Sequence, residues 1–476
     1  MYTKIAGPQA FNEGAPHINA PGVYGASPMK PILYRIPATG KRPMKFRADL
    51  PQGLVIDGNG IISGMCQEGE YTVTVTAENE YGISNKEILF KIVPQGICQT
   101  PLMGWTSWNA YAGEVSQENV LYTARAFLEK GLCEYGYQYI NIDSDWQGEY
   151  GGVYDAIQPN EKFPDMKAMC DEIHGMGLKC GIYSAPMLRC YGIGRNLPGC
   201  TRGEMDLEFL SRRSRFGMGV EHCEKNNVKQ WTEWGFDYLK YDWGSTDVEN
   251  AKLMEEALAE STRDFAYCVT TQAKFRDKEY WMNHCNSWRE NPDSSPKWEV
   301  LKKLCFDTDY WLECNKPGHF FDLDMLETGV IRGNECRLTE DEQLLGYTAR
   351  IIFPSPIQIS CDLSRLTDFD MAMLCNEEVI AVNQDVLGKG AVCIWENKTV
   401  GKDYQIQSHV KIYEKELADG KTAVAVFNIG NTVEEITVSA EGCVRDLWAK
   451  EDLIAENGSL KLTLHPHTVR LVKKLL

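Results

Sequence analysis

The chain has 476 residues and a formal net charge of −18 at neutral pH, with ordinary apolar and charged fractions. This length exceeds one ordinary domain and suits a large α/β barrel with smaller attachments. The negative charge excludes nucleic acid and anionic membrane surfaces as partners, because both would repel the protein. A neutral or cationic small ligand fits the charge.

The lack of recognisable targeting signals in the sequence favours a cytoplasmic protein. The start, Met1-Tyr2-Thr3-Lys4, lacks the apolar run and cleavage site of a signal peptide, and no later segment has the roughly 18 uninterrupted apolar residues of a membrane span. The 17 cysteines are an odd number without paired short spacings, so neither a full disulfide framework nor a zinc site is predicted. We expect mostly reduced core cysteines. A removed signal peptide would change the compartment.

Residues 1–97 are predicted to form a small Ig-like β-sandwich. Residues 71–77 alternate between apolar and polar side chains, as a half-buried strand does. Asp57-Gly58-Asn59-Gly60 is a strong turn sequence between two short apolar runs. We expect this domain to be a scaffold that either covers the barrel's flank or helps a homo-oligomer form.

Residues 98–388 alternate between strand and helix patterns. Residues 137–142, 178–183 and 238–241 are short apolar runs, and the helical patterns between them end at Gly131 and Gly177. This alternation over a long segment favours a closed (β/α)8 TIM barrel. The last segment, 389–476, returns to alternating strands with an Asn457-Gly458 turn, which predicts a C-terminal antiparallel β-sandwich.

Polar residues recur directly after the predicted barrel strands, where the active sites of such barrels lie. They are Asp143, Tyr183, Lys240, Asp242, Arg289, Asp293, Asp322 and Asp324. A single Asp after a strand is more often a helix cap or a solvated loop residue than a catalyst. Their joint occurrence at successive strand ends favours a site. Asp242 and Asp293 belong to different strands, and two facing carboxylates are what cleavage of a glycosidic bond needs.

Several ordered motifs resemble one enzyme family. They are 103–109 (Met-Gly-Trp-Thr-Ser-Trp-Asn), 139–143, 177–183, 237–242 and 324–327. They are similar to signatures of family 27 glycoside hydrolases, the α-galactosidase and α-N-acetylgalactosaminidase family. Residues 379–385 and 445–448 resemble the barrel end and the C-terminal sandwich of the same enzymes. The resemblance covers roughly residues 100–476, and 50–73 resembles bacterial Ig-like domains that often precede glycosidase modules.

The resemblance implies a retaining α-glycosidase acting on a glycoside or oligosaccharide, with Asp242 as the nucleophile and Asp293 as the acid/base. Such carboxyl groups lie about 5 to 5.5 Å apart. We expect Lys240 to favour the ionised form of Asp242, and a raised pKa to keep Asp293 protonated. The family's sugar-binding positions map onto Trp105 as an apolar wall, Asp143 and Lys240 on ring hydroxyls, Tyr183 near the nucleophile, Arg289 beside the acid, and Asp324 with Met325.

No metal or organic cofactor is implied. The eight histidines show no ligand spacing such as H-E-x-x-H, so we interpret them as ordinary surface or core residues.

Departures from the family pattern leave the sugar open. Many relatives carry a second Asp where this chain has Ser144. The shorter serine either leaves room for a substituent at C6 or tolerates a pentose such as L-arabinopyranose. Alternatively, Asp145 supplies the missing carboxylate. The region of Thr270 lacks the Cys-Glu-Trp motif by which α-galactosidases contact the 2-hydroxyl group of the sugar. A smaller residue there could admit an N-acetyl group. Residues 290–292 are also bulkier than usual.

Two classes of function therefore compete. The first is an exo-acting α-glycosidase for terminal galactose-like sugars, with α-N-acetylgalactosaminidase, β-L-arabinopyranosidase or an enzyme for a C6-modified sugar as alternatives. The second is a carbohydrate-binding protein on a decayed barrel. Retention of both Asp242 and Asp293 favours the enzyme, because a pocket without catalysis has no physical reason to keep two mutually repelling acids.

Overall fold

The computed structural model describes residues 1–194, 196–207, 216–401 and 405–475. Its N-terminal part is a β-sandwich, as predicted. A four-stranded sheet of order β2-β9-β8-β5 faces a three-stranded sheet of order β3-β7-β6. The strands β1 to β9 are His17–Ile18, Val23–Ala26, Ile32–Arg35, Ala38–Thr39, Lys45–Ala48, Leu54–Ile56, Ile61–Gly64, Gly69–Asn79 and Gly82–Ile92.

Alternation along β8 explains how this sandwich closes. Val73, Val75 and Ala77 are fully buried, while the threonines between them are half-exposed. The predicted turn forms at Asp57, whose Oδ1 accepts the backbone N–H groups of Asn59 and Ile61, each at 2.9 Å. Such a side-chain contact satisfies the turn amides and fixes the reversal between β6 and β7.

The central part is a parallel barrel. Its strands join in the order β20-β19-β18-β17-β14-β11-β10-β23. A parallel bridge between Leu326 and Ile359 brings the two ends together, with Leu326 N donating to Gln358 O at 2.8 Å. The strands β10 to β23 are Met103–Thr106, Tyr139–Asn141, Gln147–Gly151, Ala156–Pro159, Lys179–Ser184, Thr201–Met205, Gly219–His222, Tyr238–Asp242, Ala266–Thr270, Ser287–Trp288, Phe320–Phe321, Val330–Ile331, Asn334–Glu335 and Ile357–Ile359.

The barrel helices follow the predicted periodicity. In α3 the apolar residues Met166, Met169, Cys170 and Ile173 are buried, and Asp165 caps its first turn by accepting Ala168 N at 2.9 Å. The helices α1 to α10 are Trp108–Tyr111, Gln117–Glu129, Met166–Gly175, Glu224–Trp234, Val248–Ala259, Lys278–His284, Trp298–Phe306, Glu340–Ile352, Asp368–Leu374 and Glu377–Asn383. Short 3₁₀ turns occupy Ala112–Glu114, Leu132–Tyr135, Phe275–Asp277, Asp309–Cys314 and Leu363–Arg365.

The N-terminal sandwich docks on the face of the barrel where the strands begin. Glu134, which precedes β11, accepts hydrogen bonds or ion pairs from Arg35 and Arg42. Asp264, which precedes β18, accepts Ser27 N at 2.7 Å and lies 3.5 Å from Lys30 Nζ. Both contacts lie opposite the face where the strands end.

The C-terminal part is an antiparallel β-sandwich packed beside α8 and α10. A six-stranded sheet of order β24-β25-β26-β31-β28-β29 is accompanied by the pair β27-β30. Trp448 is buried in this contact and donates its indole N–H to Thr348 Oγ1 at 3.0 Å. The strands β24 to β31 are Val392–Val400, Ile406–Glu416, Thr422–Asn428, Glu434–Ser439, Cys443–Asp446, Glu451–Ile454, Ser459–Leu464 and Thr468–Lys474.

All 17 cysteines are free thiols and most are buried, in agreement with the interpretation of core cysteines. Among the described residues, every helix is too short or too polar to cross a membrane.

Candidate active site

The predicted catalytic residues lie where neighbouring barrel strands end. Asp242 is the last residue of β17 and stands in register with Thr270, the last residue of β18. Arg289 follows β19 directly, and its backbone N–H donates to Val269 O of β18 at 3.1 Å. Parallel strands in one barrel bring their C-terminal residues to the same rim, so these side chains converge.

A buried guanidinium organises this rim. Arg289 donates from Nε to Thr270 Oγ1 at 2.7 Å, from Nη1 to Asp324 Oδ2 at 2.6 Å, and from Nη2 to Asp293 Oδ1 at 2.9 Å. Its side chain is only 2% exposed, so the charge is balanced by these partners rather than by water. Thr270 is therefore bonded to Arg289 through its hydroxyl.

Asp242 is the buried carboxyl of the pair, with 9% exposure. Tyr183 donates its hydroxyl to Asp242 Oδ2 at 2.8 Å. Burial raises the pKa of Asp242 to about 6, although Lys240, Arg289 and the Tyr183 hydroxyl all act to lower it. The expected influence of Lys240 is present, but burial outweighs it.

Lys240 forms the opposite side of the same cluster. Its Nζ lies 2.8 Å from Asp143 Oδ2 and 5.5 Å from the centre of the Tyr183 ring. Asp143 is held in place because its backbone N–H donates to Ser107 Oγ at 2.9 Å. The structure thus brings Asp143, Tyr183, Lys240 and Asp242 together, as the motifs predicted.

Asp293 differs from the prediction in its ionisation. Its side chain is 75% exposed, and the adjacent Arg289 guanidinium lowers its pKa. The predicted order of pKa values is wrong for the free site, because Asp293 has a lowered pKa and Asp242 a raised one. The physical reason is position: Asp242 ends a buried strand, whereas Asp293 lies on a loop beside a cation.

Ser144 and Asp145 both face the neighbouring loop. The Ser144 hydroxyl is buried without a hydrogen-bond partner in the described part of the chain, and a Cβ at Gly192 would lie 2.9 Å from it. The Asp145 carboxylate accepts Ile193 N at 2.9 Å and also accepts Gly194 N. Asp145 therefore holds this loop.

Trp105 does not line the pocket. Its side chain has no exposed surface, and its indole N–H donates to Cys361 O at 2.9 Å. The prediction of an apolar wall at Trp105 is contradicted, because the residue lies within the barrel core. The sequence prediction did not include Trp108, which follows the end of β10, is half-buried, and has the Arg332 guanidinium 5.4 Å from its ring centre.

Asp324 and Met325 are both close to fully buried. Asp324 Oδ2 accepts the Ser294 backbone N–H at 2.6 Å as well as the Arg289 guanidinium, and its own N–H donates to Asp322 Oδ1 at 2.7 Å. Asp324 thus ties the loop that carries Asp293 to the barrel. Ser294 lies next to Asp293 in the sequence, and this adjacency was the signal that could have identified it.

The geometry provides two chemically different carboxyl groups. The negative charge of Asp293 contributes to the raised pKa of Asp242, and the negative charge of Asp242 helps to raise the pKa of Arg289. One group is enclosed and bonded to a phenol, and the other is open to solvent beside a guanidinium. A pair in such different environments fits distinct roles as a nucleophile and a proton donor.

Comparison with known proteins decides the family. The sequence pattern described as "Alpha galactosidase A" matches residues 100–208 and 216–385. This chain belongs to the alpha galactosidase A family. Membership in this family makes it a glycoside hydrolase. Residues 407–473 match "Alpha galactosidase C-terminal beta sandwich domain" and residues 15–94 match "Putative Ig domain", so the predicted family and architecture are confirmed.

Several known proteins are similar to most of the chain. Alpha-galactosidase 2 of Arabidopsis thaliana is 29% identical over 400 residues, which cover 80% of this chain and 90% of the relative. A Bacteroides fragilis structure described as a "putative alpha-galactosidase/melibiase" is 26% identical with a TM-score of 0.85, covering 98% of this chain and 99% of that one. A GH27 β-L-arabinopyranosidase from Geobacillus stearothermophilus is 26% identical with a TM-score of 0.67, covering 79% and 96%.

Proposed function

We propose that this glycoside hydrolase removes terminal α-linked galactose-like residues by a retaining mechanism, with Asp242 as the nucleophile and Asp293 as the acid/base. The observation that carries the proposal is the unequal pair itself. Asp242 is enclosed and oriented by Tyr183 at 2.8 Å, whereas Asp293 stays open to an incoming sugar and is oriented by Arg289 at 2.9 Å.

The reaction then proceeds in two displacements. The Asp242 carboxylate attacks the anomeric carbon, the glycosidic bond breaks, and Asp293 gives its proton to the leaving oxygen. Asp293 next takes a proton from water, whose oxygen attacks the anomeric carbon and releases Asp242. A bound sugar displaces water from the exposed Asp293 carboxyl, and this desolvation favours the protonated form that the first step needs.

The polar rim suits the hydroxyl groups of a galactose-like ring. Asp143, Lys240 and Asp324 present charged groups next to the carboxyl pair, and all three are held by partners before any sugar arrives. Such preorganised groups bind a hydroxylated ring without the cost of ordering them on binding. Trp108, half-buried after β10, provides the apolar ring that Trp105 does not.

β-L-Arabinopyranosidase is a second candidate. L-Arabinopyranose has the hydroxyl arrangement of galactose without the C6 group, and position 144 carries a serine instead of the second carboxylate that the family resemblance implies. Asp145 uses its carboxylate on the Ile193 and Gly194 amides instead. A solved relative carries the name β-L-arabinopyranosidase, which supports testing this sugar.

The test is a set of initial rates on the p-nitrophenyl forms of α-galactoside, β-L-arabinopyranoside, α-N-acetylgalactosaminide and α-glucoside. Asp242→Ala and Asp293→Ala are compared with Asp155→Ala, because Asp155 is another exposed carboxylate paired with an arginine, Arg202 at 2.6 Å, outside the pocket. We expect α-galactoside cleavage that Asp242→Ala abolishes and Asp155→Ala retains. Faster cleavage of the arabinopyranoside selects the second candidate. Cleavage that survives Asp242→Ala, or no cleavage of any substrate, contradicts the proposal.

A further inference from the structure

Besides Asp324, the buried carboxyl group of Glu327 also contacts the loop that carries Asp293. Ser294 Oγ donates to Glu327 Oε1 at 2.8 Å, while the Ser294 backbone N–H donates to Asp324 Oδ2 at 2.6 Å. Ser294 is thus held at two points by the segment that follows β20. Because Ser294 is bonded directly to Asp293 in the chain, Glu327 influences where the Asp293 carboxyl can lie.

Glu327 has no task in the reaction described above, yet its burial is costly. It is 2% exposed, and its Oε1 also accepts Asn109 Nδ2 at 3.1 Å. Its Oε2 has no hydrogen-bond partner among the described residues. A buried polar atom without a hydrogen-bond partner destabilises the fold, so its presence points to a role that offsets this cost.

The surroundings of Glu327 favour a carboxyl that changes charge near neutral pH. Burial raises its pKa to about 7, and the charge of Asp324 adds to this rise, while the Ser294 hydroxyl, the Arg350 guanidinium and Asn109 oppose it. The Cys336 thiol also lies nearby and donates to Glu327 O at 3.5 Å.

We propose that Glu327 is a positioning residue for proton donation, acting through the Ser294 hydroxyl to hold the Asp293 carboxyl toward the leaving oxygen. The inference rests on the proposed function of Asp293. The Asp293 side chain is 75% exposed and accepts a hydrogen bond from Arg289, so the backbone of its loop must be fixed from the buried side. A displacement of about 1 Å in a reacting group can cost on the order of a hundredfold in rate.

Dependence on the leaving group distinguishes positioning of an acid from general support of the fold. A p-nitrophenolate leaves with little help from an acid, whereas an alkoxide needs a proton. Loss of acid positioning therefore slows a methyl glycoside more than a p-nitrophenyl glycoside. A purely structural defect slows both equally and leaves the ratio of the two kcat/KM values unchanged.

The experiment measures this ratio for the preferred sugar in the full-length wild type and in Glu327→Ala, Glu327→Gln, Ser294→Ala and the Glu327→Ala/Ser294→Ala double variant. We expect the ratio of p-nitrophenyl to methyl kcat/KM to rise about tenfold in Glu327→Ala and in Ser294→Ala. The double variant should rise no further, because both changes break one contact. Glu327→Gln should stay close to the wild type, since its amide oxygen can still accept the Ser294 hydroxyl.

Glu224→Ala is the matched control, because Glu224 is a buried carboxyl at the start of α4 and outside the acid loop. It should leave the ratio unchanged. Equal slowing of both substrates in Ser294→Ala and Glu327→Ala, or full additivity in the double variant, overturns the inference. If Glu327→Ala does not fold, an unchanged ratio of the two kcat/KM values in Ser294→Ala is enough to overturn the inference. A wild type that cleaves neither glycoside instead refutes the proposed function.

Discussion

Asp242→Asn should make the protein more stable at pH 8 while removing its activity. Burial raises the pKa of Asp242 to about 6, against about 3.9 in an unfolded chain. The folded state therefore binds this proton more tightly, so its stabilising contribution is complete below about pH 4 and is lost as the pH rises through 6. A rise of about two pH units corresponds to about 3 kcal/mol lost at pH 8. The neutral amide avoids this loss.

Thermal unfolding at pH 8 and pH 4 measures the effect. We expect a higher unfolding midpoint for Asp242→Asn than for the wild type at pH 8, and no such gain at pH 4. Asp155→Asn is the control, because the hydrogen bond from Arg202 lowers the pKa of that exposed carboxylate. A midpoint at pH 8 that is equal to or below that of the wild type would refute the argument that burial dominates at Asp242.

The remaining predictions concern the partners of the pair. Tyr183→Phe removes the 2.8 Å hydrogen bond to Asp242 and raises the pKa of that carboxyl further. In the free site the one proton that the reaction needs is lost near pH 6, so the alkaline limb of kcat/KM should move upward by about one unit, as pH profiles would show. Tyr267→Phe, which removes a buried hydroxyl bonded to Ala251 O, should leave the limb in place. Asp145→Ala frees the Ile193 and Gly194 amides and should raise KM about threefold to tenfold with little change in kcat; an unchanged KM would contradict the loop's role.

Local patterns predicted the architecture because the decisive signals lie close together in sequence. Alternation in β8 and the buried face of α3 each follow from the period of one element. The rule that barrel sites lie at strand ends predicts from the sequence alone that Asp143, Tyr183 and Asp242 lie together. Closure of the barrel depends on a contact between Leu326 and Ile359, which no local pattern contains.

The two tryptophans of the 103–109 motif show the limit of motif matching. Trp105 and Trp108 are three residues apart and chemically identical, so composition cannot choose between them. Trp105 lies inside the four-residue strand β10 and is enclosed by the barrel core, whereas Trp108 follows the strand and is only half-buried. The strand-end rule favours Trp108 once the end of β10 at Thr106 is known.

The ionisation of the carboxyl pair could not be predicted because it depends on burial, and burial is set by distant parts of the chain. Lys240 is two residues from Asp242 and was expected to control its pKa, but the barrel wall removes more water than one cation can offset. Arg289 is four residues from Asp293, and its positive charge lowers the pKa of Asp293. Burial opposes this effect less than at Asp242, because the Asp293 side chain is exposed to solvent. The free site therefore has a higher proton affinity at Asp242, the proposed nucleophile, than at Asp293, the proposed acid. Under the proposed mechanism, a sugar that covers Asp293 reverses this order, so substrate binding and protonation of Asp293 are one coupled event.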